Sequence, residues 1–208
     1  MQIYGSNLAA QITPSATLPL PTALNQTSVI IGGMLAPLYY VSPGQINAQV
    51  PFELTAGKPY QVIVNANGAL SNSIPIQLTA DAPGIAQYAT GQIIAQHQRD
   101  YSLITETSPA APGEVIVFYL AGMGLTNPSV ASGTASPSTN LAVPLDASTL
   151  TLNGAPITNI LFIGLTPTVV GLYQVDFQVP ANTPNGDLQL VLTQSSGLTT
   201  STILPVHN

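Results

Sequence analysis

The chain has 208 residues, of which 45% are apolar and only 5% are charged, against about 25% charged in an average domain. The chain has two cationic residues, Lys58 and Arg99, and eight acidic residues, so the net charge is −6. This balance excludes a phosphate-neutralising nucleic-acid surface and a basic membrane-binding patch, because both need several Lys or Arg side chains. The absence of cysteine excludes a disulfide framework, a thiolate zinc site and a cysteine nucleophile.

The polar composition and the first residues of the chain predict the cellular location of the protein. No apolar run approaches the roughly 18 residues of a membrane span, so membrane insertion is not expected. Residues 1–5 lack the basic and apolar segments of a signal peptide, so we expect a mature product or a piece of a longer chain. Ser, Thr, Asn and Gln outnumber Lys and Glu, which favours a secreted or extracellular protein at the cell surface.

Short strands are predicted along the whole chain. Nineteen Pro and seventeen Gly interrupt it every few residues, and β-branched residues fill the intervals. Apolar and polar residues alternate with period two in segments 46–50, 60–65, 175–179 and 188–193. This alternation is typical of strands with one face in a core, and the regular turn signals favour a β-sandwich.

An internal repeat divides the chain. Gln45-Ile46-Asn47-Ala48-Gln49-Val50-Pro51 matches Gln174-Val175-Asp176-Phe177-Gln178-Val179-Pro180, and Gly57 matches Gly186 at the same offset. Further matches join 61–64 with 189–192, 5–8 with 122–125 and 29–33 with 150–154. The inward positions agree in both copies. Ile46, Val50, Val62 and Val64 are therefore predicted to be buried like Val175, Val179, Leu190 and Leu192.

The predicted fold is all-β, with two tandem immunoglobulin-like β-sandwiches at 1–80 and 112–208. A connecting segment, 81–111, is expected to form a hairpin from 91–96 and 102–107, packed against the sandwiches. Its apolar residues need burial, namely Ile85, Ile93, Ile94, Leu103 and Ile104. The strand 114–119 precedes the second repeat's glycine turn, whereas only 1–4 precede the first. The first strand of sandwich 1 is thus largely missing, which predicts an unpaired edge.

Several motifs together resemble the Solibacter-type C-terminal domain family. They are Ile3-Tyr4-Gly5-Ser6-Asn7-Leu8-Ala9, Val41-Ser42-Pro43-Gly44 followed by the 45–51 motif, Ala82-Pro83-Gly84-Ile85, and Pro109-Ala110 to Gly113-Glu114. The resemblance covers almost the whole chain and implies a domain at the end of a large exported acidobacterial protein. Each half also resembles an IPT/TIG immunoglobulin-like domain. Asp100-Tyr101-Ser102 stands where the family has Asp-Gly-Ser, so a longer or reshaped hairpin tip is expected.

Catalytic motifs are weak. His97 lies near Asp100 and Ser102, but a triad is assembled from separate elements, and no Gly-x-Ser-x-Gly elbow is present. His207 is interpreted as part of a frayed tail. Gly32-Gly33 lacks the lysine and helix of a phosphate loop.

The acidic residues do not follow a known site pattern. Asp176 has a neutral repeat partner, Asn47, and no EF-hand spacing is present. An acid-pair active site and a calcium site are the two alternatives for the eight acids, namely Glu53, Asp81, Asp100, Glu106, Glu114, Asp146, Asp176 and Asp187. No catalytic, cofactor-binding or metal-binding residue is predicted.

Two function classes remain. The first is a non-catalytic extracellular structural, adhesive or assembly module, which self-associates through strand edges into a homo-oligomer or filament or joins other domains of a longer parent. The alternative is a carbohydrate-binding module of a larger secreted enzyme, with polysaccharide as the partner. Eight tyrosines, including the adjacent Tyr39 and Tyr40, are candidates for sugar stacking, core packing or inter-domain contact. One ring of that adjacent pair is expected to face inward and one outward.

Overall fold

The computed structural model describes residues 1–207, which contain 21 strands and no helix. The prediction of an all-β fold is therefore confirmed. Consistently, none of the described residues forms a helix that could span a membrane. The chain divides into two compact units. Unit 1 comprises Met1–Ala80, Ser129–Asn140 and Pro167–Gly171, and unit 2 comprises Asp81–Pro128, Leu141–Thr166 and the residues from Leu172 onward.

Unit 1 contains ten strands in two sheets. They are β1 (Gln2–Tyr4), β2 (Thr13–Pro14), β3 (Ala23–Leu24), β4 (Thr27–Ile31), β5 (Met34–Leu35), β6 (Leu38–Val41), β7 (Gln45–Ala48), β8 (Lys58–Ala66), β9 (Ala69–Leu70) and β10 (Ile74–Leu78). The β7 sheet has the order β1-β7-β6-β2, and the β8 sheet has the order β10-β8-β4-β3, with β5 on β4 and β9 on β8. All these pairings are antiparallel.

The core of unit 1 follows the predicted alternation. Val29 and Ile31 of β4 lie opposite Val64 and Val62 of β8, and all four are buried together with Ile46 of β7. In β4 and β8 the positions that alternate with these buried residues, including Ser28 and Asn65, are only partly buried and lie on the opposite face.

Unit 2 contains eleven strands. They are β11 (Gly84–Ile85), β12 (Ala95–His97), β13 (Val115–Ala121), β14 (Thr126–Asn127), β15 (Val143–Pro144), β16 (Ser148–Leu152), β17 (Ala155–Pro156), β18 (Ile160–Leu165), β19 (Tyr173–Gln178), β20 (Gly186–Gln194) and β21 (Thr199–Val206). The β19 sheet has the order β11-β13-β19-β18, with β12 also on β13. The β20 sheet has the order β17-β16-β20-β21, and β14 and β15 form a separate pair.

The core of unit 2 repeats the register of unit 1. Leu150 and Leu152 of β16 lie opposite Leu192 and Leu190 of β20, as the repeat predicts. All four are almost fully buried. In the β19 sheet, the rings of Phe118 and Phe177 meet edge to face, with centroids 6.1 Å apart and planes at 79°.

The predicted burial is wrong at Val50, which is only partly buried, while its neighbour Gln49 is 7% exposed. The physical reason is that β7 ends at Ala48, so strand alternation no longer sets the direction of these side chains. Gln49 Oε1 instead accepts a hydrogen bond of 2.6 Å from the N–H of Gly133, in a loop that also belongs to unit 1.

The connecting segment packs within unit 2. β11 and β12 both pair with β13, and Ile85, Ile93 and Ile104 are buried, as expected from their apolar character. Ile94 is only partly buried, and Leu103 departs further from the expectation, because 46% of it is exposed. The hairpin is closed by backbone hydrogen bonds, including one of 2.9 Å from Ile104 N–H to the carbonyl of Ala95.

The first strands of the two units have different neighbours. β13 spans seven residues and pairs with β19 on one side and with β11 and β12 on the other. β1 spans three residues, pairs with β7, and has no second neighbouring strand among residues 1–207. The outer side of β1 is therefore a sheet edge in the described part of the chain.

Candidate functional site

A polar cluster surrounds the buried His97 at the end of β12. The His97 residue is 1% exposed, and its Nδ1 lies 2.6 Å from Oε1 of Glu114, immediately before β13. Its Nε2 lies 3.1 Å from Oγ and 3.2 Å from the carbonyl oxygen of Ser108. Glu114 also accepts hydrogen bonds from Ala111 N–H at 3.0 Å and from the Arg99 side chain at 3.3 Å.

This cluster has the connectivity of a Ser–His–carboxylate triad, but its geometry favours a structural role. The His97 ring is 1% exposed, and the carbonyl oxygen of Ser108 lies within hydrogen-bonding distance of its Nε2. A substrate therefore cannot reach Nε2 without displacing Ser108. Nε2 can donate to the Ser108 carbonyl when protonated and accept from the Ser108 hydroxyl when not. Either state keeps its hydrogen bonds, so the cluster fastens residues 97–108 to the start of β13.

The side chains of Asp100 and Ser102, the triad candidates suggested by the sequence, bond to each other, whereas the His97 ring bonds to Glu114 and Ser108. Asp100 Oδ1 accepts hydrogen bonds from Ser102 N–H at 3.0 Å and Ser102 Oγ at 2.6 Å. Those bonds, with a smaller contribution from Arg99, hold the pKa of Asp100 at about 2. Asp100 therefore stays ionised and organises the hairpin tip.

Tyr101 adopts the left-handed conformation, with φ 58°. The expectation that the tip is reshaped to avoid this conformation is wrong, because Tyr101 itself adopts it between His97 and Ser102. The His97 N–H donates to the Ser102 carbonyl at 3.0 Å, which closes this short tip.

The other candidate residues from the sequence are dispersed over the structure. Glu53 binds the Ser132 hydroxyl at 2.6 Å, and Asp81 binds the Ser196 hydroxyl at 2.8 and 2.9 Å. Among residues 1–207, no group of three or more His, Asp or Glu side chains is placed to hold a metal ion. The interpretation of His207 as frayed is wrong, because its N–H donates to the carbonyl of Ala110 at 2.9 Å.

A second candidate site lies on the outer surface of the β19 sheet. Residues at alternate positions of β19 turn away from the core, and their neighbours on β13 and β18 share that face through the strand register. We define the β19 face by five partly exposed side chains, namely Tyr119, Phe162, Gln174, Asp176 and Gln178. The face thus combines two aromatic rings with hydrogen-bonding groups.

Hydrogen bonds order the side chains of the β19 face. Gln174 Nε2 donates to Asp176 Oδ1 at 2.8 Å. Gln178 accepts from Asn159 Nδ2 at 2.7 Å and donates to the Gly113 carbonyl at 2.8 Å. A shallow cavity of about 200 Å³ lies beside Gln178 and Asn159.

Burial raises the pKa of two side chains on this face. It raises the pKa of Asp176, and the hydrogen bond from Gln174 offsets part of that rise. Burial also raises the pKa of Tyr119, with smaller contributions from the nearby Asp176 and Tyr101. Tyr119 therefore remains a hydroxyl donor, and it donates to Gln96 Oε1 at 3.1 Å.

Unit 1 carries a matching surface, the β7 face, defined by Gln2, Tyr4, Tyr40, Gln45 and Asn47. Tyr4 lies opposite Gln45, as Tyr119 lies opposite Gln174 in unit 2. Tyr40 lies opposite Asn47, as Phe162 lies opposite Asp176. Gln45 Nε2 donates to Asn47 Oδ1 at 2.7 Å, which repeats the bond between Gln174 and Asp176.

The side chains of Tyr39 and Tyr40 are both partly exposed, and they have different surroundings. Tyr40 lies on the β7 face, while the Tyr39 hydroxyl donates to the carbonyl of Val170 within unit 1. Neither face is predicted as a site above, although the sequence contains a signal for both. The repeat matches Gln45 with Gln174 and Asn47 with Asp176, and strand alternation places these positions outward.

Comparisons with known proteins give no family assignment. No protein-family model and no curated protein matches the chain. One similar solved structure is SGBP-B of the mixed-linkage glucan utilization locus of Bacteroides ovatus, in complex with a mixed-linkage heptasaccharide, at 16% identity and a TM-score of 0.34. Another is an endo-fucoidan hydrolase of glycoside hydrolase family 107, at 12% identity and a TM-score of 0.18.

The coverage of these two structures is uneven. The matches cover 88% and 96% of this chain but only 37% and 28% of the other chains. With TM-scores below 0.5, neither similarity carries an argument about function.

Proposed function

We propose that the chain is a non-catalytic adhesive module of an exported bacterial protein, of the Solibacter-type family, and that it binds extracellular partners through the β7 and β19 faces. The observation that carries the proposal is that both units repeat the same outward-facing set. Each face has a tyrosine opposite a glutamine, a neighbouring Asn or Asp bonded to that glutamine, and a second aromatic ring.

The fold alone does not require this repetition. Core positions recur because two sandwiches of one topology need apolar groups at the same inward places. Outward positions have no such constraint, and a surface residue is usually replaced at little cost in stability. A repeated outward set of aromatic and hydrogen-bonding side chains therefore favours a binding role.

The non-catalytic part of the proposal is supported by the His97 cluster. Its imidazole is buried, and Glu114 Oε1 is shared between His97 and Arg99. The low charge of the chain suits partners that are bound by stacking and neutral hydrogen bonds rather than by ion pairs.

The test is binding of the whole chain to purified extracellular surfaces, namely peptidoglycan sacculi, insoluble glucan and chitin. Saturable binding that is weakened at least tenfold by Tyr4→Ala together with Tyr119→Ala supports the proposal. Tyr60→Phe is the control, because Tyr60 packs against the core of unit 1 rather than on either face. Binding that the double variant leaves unchanged, or no binding to any surface, contradicts it.

A second candidate function, self-association, is favoured by the edge at β1. Met1 and Ala48 exchange backbone hydrogen bonds of 2.6 and 3.0 Å, so the next residue, Gln2, directs its N–H and C=O away from β7. A free edge of this kind accepts an added strand, and the occupant we assign to it is β1 of a second copy. The few charged residues place little repulsion between copies.

A further inference from the structure

Tyr101 is a bulky residue held where glycine would be unstrained. Its φ of 58° lies in the left-handed region, which is disfavoured for residues with a Cβ and unusual for an aromatic one. The residue is nevertheless 58% exposed, so burial of its ring in the core does not offset the energy of the unfavourable backbone conformation. An outlier of this kind is a reason to ask what the exposed ring does.

The backbone around Tyr101 is firmly fixed. Its N–H donates to the His97 carbonyl at 2.8 Å, and its own carbonyl accepts from Gln96 Nε2 at 2.8 Å. The buried cluster at His97 anchors the hairpin, so the backbone that carries the exposed Tyr101 ring is held at both its N–H and its carbonyl. A residue whose backbone is already fixed loses less conformational freedom when its side chain binds a ligand.

Tyr101 adjoins the β19 face through Gln96. The same Gln96 side chain donates to the Tyr101 carbonyl and accepts from the Tyr119 hydroxyl at 3.1 Å. From there, Gln174, Asp176 and Gln178 follow at alternate positions of β19, over about 14 Å at the usual rise of a strand. The combined surface has the length of a short oligomer rather than of a single small molecule.

The charges on this surface favour an uncharged ligand. Arg99 is the cation of the hairpin tip, and its guanidinium lies 3.3 Å from both Asp100 and Glu114. Asp176 adds a carboxylate to the face itself, and the net charge of the chain is −6. A sulfated or uronic acid polymer would meet repulsion, whereas sugar hydroxyls can pair with the Gln and Asp side chains.

Resting on the proposed function, we propose that Tyr101 is the stacking residue of a site for neutral polysaccharide on unit 2. Its ring packs against the apolar face of a pyranose, while Tyr119, Gln174 and Asp176 hydrogen-bond to sugar hydroxyls along the β19 face. The strained backbone at Tyr101 is thereby explained as a cost in stability that keeps an aromatic ring exposed beside the face.

The experiment is affinity electrophoresis of the whole chain against two groups of polymers. The neutral group is hydroxyethylcellulose, galactomannan and laminarin, and the anionic group is alginate and dextran sulfate. We expect retardation by at least one neutral polymer and by neither anionic one. Tyr101→Gly should weaken that binding at least tenfold while raising the denaturation midpoint, whereas Tyr101→Phe should retain the binding.

Tyr88→Ala is the matched control, because Tyr88 is a 42% exposed tyrosine in the 88–91 turn of the same unit. Unchanged affinity of Tyr101→Gly, or equal loss in Tyr101→Phe, overturns the stacking role. Retardation by the anionic polymers alone, or binding only to the peptidoglycan sacculi of the test above, overturns the neutral-polysaccharide site but leaves the adhesive function standing. Absence of binding to every probe overturns both.

Discussion

Tyr4 and Tyr119 occupy corresponding positions in the two units. Each lies on the outer face of its sheet, opposite the glutamine of the repeated Gln-x-Asn/Asp motif. Each donates its hydroxyl hydrogen to another glutamine Oε1, at 2.9 Å for Tyr4 and 3.1 Å for Tyr119. The correspondence therefore includes hydrogen bonding as well as position, which is why we assign the two faces a common role.

The Asp176→Asn variant should be more stable than the native chain at pH 7. Burial raises the pKa of Asp176, so the folded state holds its proton more tightly than the unfolded state does. The stabilising contribution is then fully present below the ordinary aspartate pKa of about 3.9 and is lost as the pH rises through the folded value. Asparagine carries no charge, so this loss of stability does not occur in the variant. Its Oδ1 can still accept a hydrogen bond from Gln174 Nε2, as Asn47 Oδ1 accepts from Gln45 Nε2 in unit 1.

Urea denaturation of both proteins at pH 7 and pH 3 measures this effect. The difference in unfolding free energy should favour Asp176→Asn at pH 7 and shrink at pH 3. Asp187→Asn, on the β20 strand away from the face, serves as the control substitution. A variant that is less stable than the native chain at pH 7 would show that the carboxylate is needed for the fold.

The His97→Gln variant should be destabilised by about 3 kcal/mol. The Glu114 side chain is only 11% exposed, and removal of its closest partner leaves a buried carboxylate poorly compensated. Arg99→Ala should cost below about 1 kcal/mol, because the Arg99 side chain is 64% exposed and its ion pairs are solvated. Thermal and urea unfolding measure both losses of unfolding free energy. Similar losses for the two variants would contradict the role of His97 in fastening residues 97–108 to the start of β13.

How far the sequence predicts the fold depends on whether strand alternation continues. Ile46 and Val175 could be predicted as core because each lies inside a strand whose polar residues alternate with apolar ones. Val50 could not, because β7 ends two residues earlier and Gln49 bonds to a loop more than eighty residues away. Such a contact depends on tertiary structure and leaves no local periodicity.

The candidate site could be predicted only in part for a related reason. The repeat contains the outward glutamines, but it does not show which aromatic side chains share their face. That assignment requires the register of β1 with β7 and of β13 with β19. Similarly, the pairing of His97 with Glu114 arises because β12 and β13 are neighbours, whereas the sequence suggested the closer Asp100.

Leu190→Ala should cost about 3 kcal/mol of unfolding free energy, and Val50→Ala only about 1 kcal/mol. Leu190 is 0% exposed between β16 and β21, so truncation leaves a cavity in addition to the lost transfer free energy. Val50 is partly buried after the end of β7, where the surroundings can relax. Equal losses in denaturant unfolding would show that Val50 belongs to the rigid core after all.

The free edge of β1 should make the chain associate as its concentration rises. Sedimentation velocity over a wide concentration range should show a reversible shift from the 21.4 kDa species to larger ones. Gln2→Pro should abolish the shift, because it removes an outward N–H and makes the strand a poor template, while the inward bonds of Met1 and Ile3 to β7 remain. Gln2→Ala keeps the N–H and should associate like the native chain, which separates the backbone effect from the loss of the side chain. A single 21.4 kDa species at every concentration, or association that persists in Gln2→Pro, would show that β1 does not join the copies.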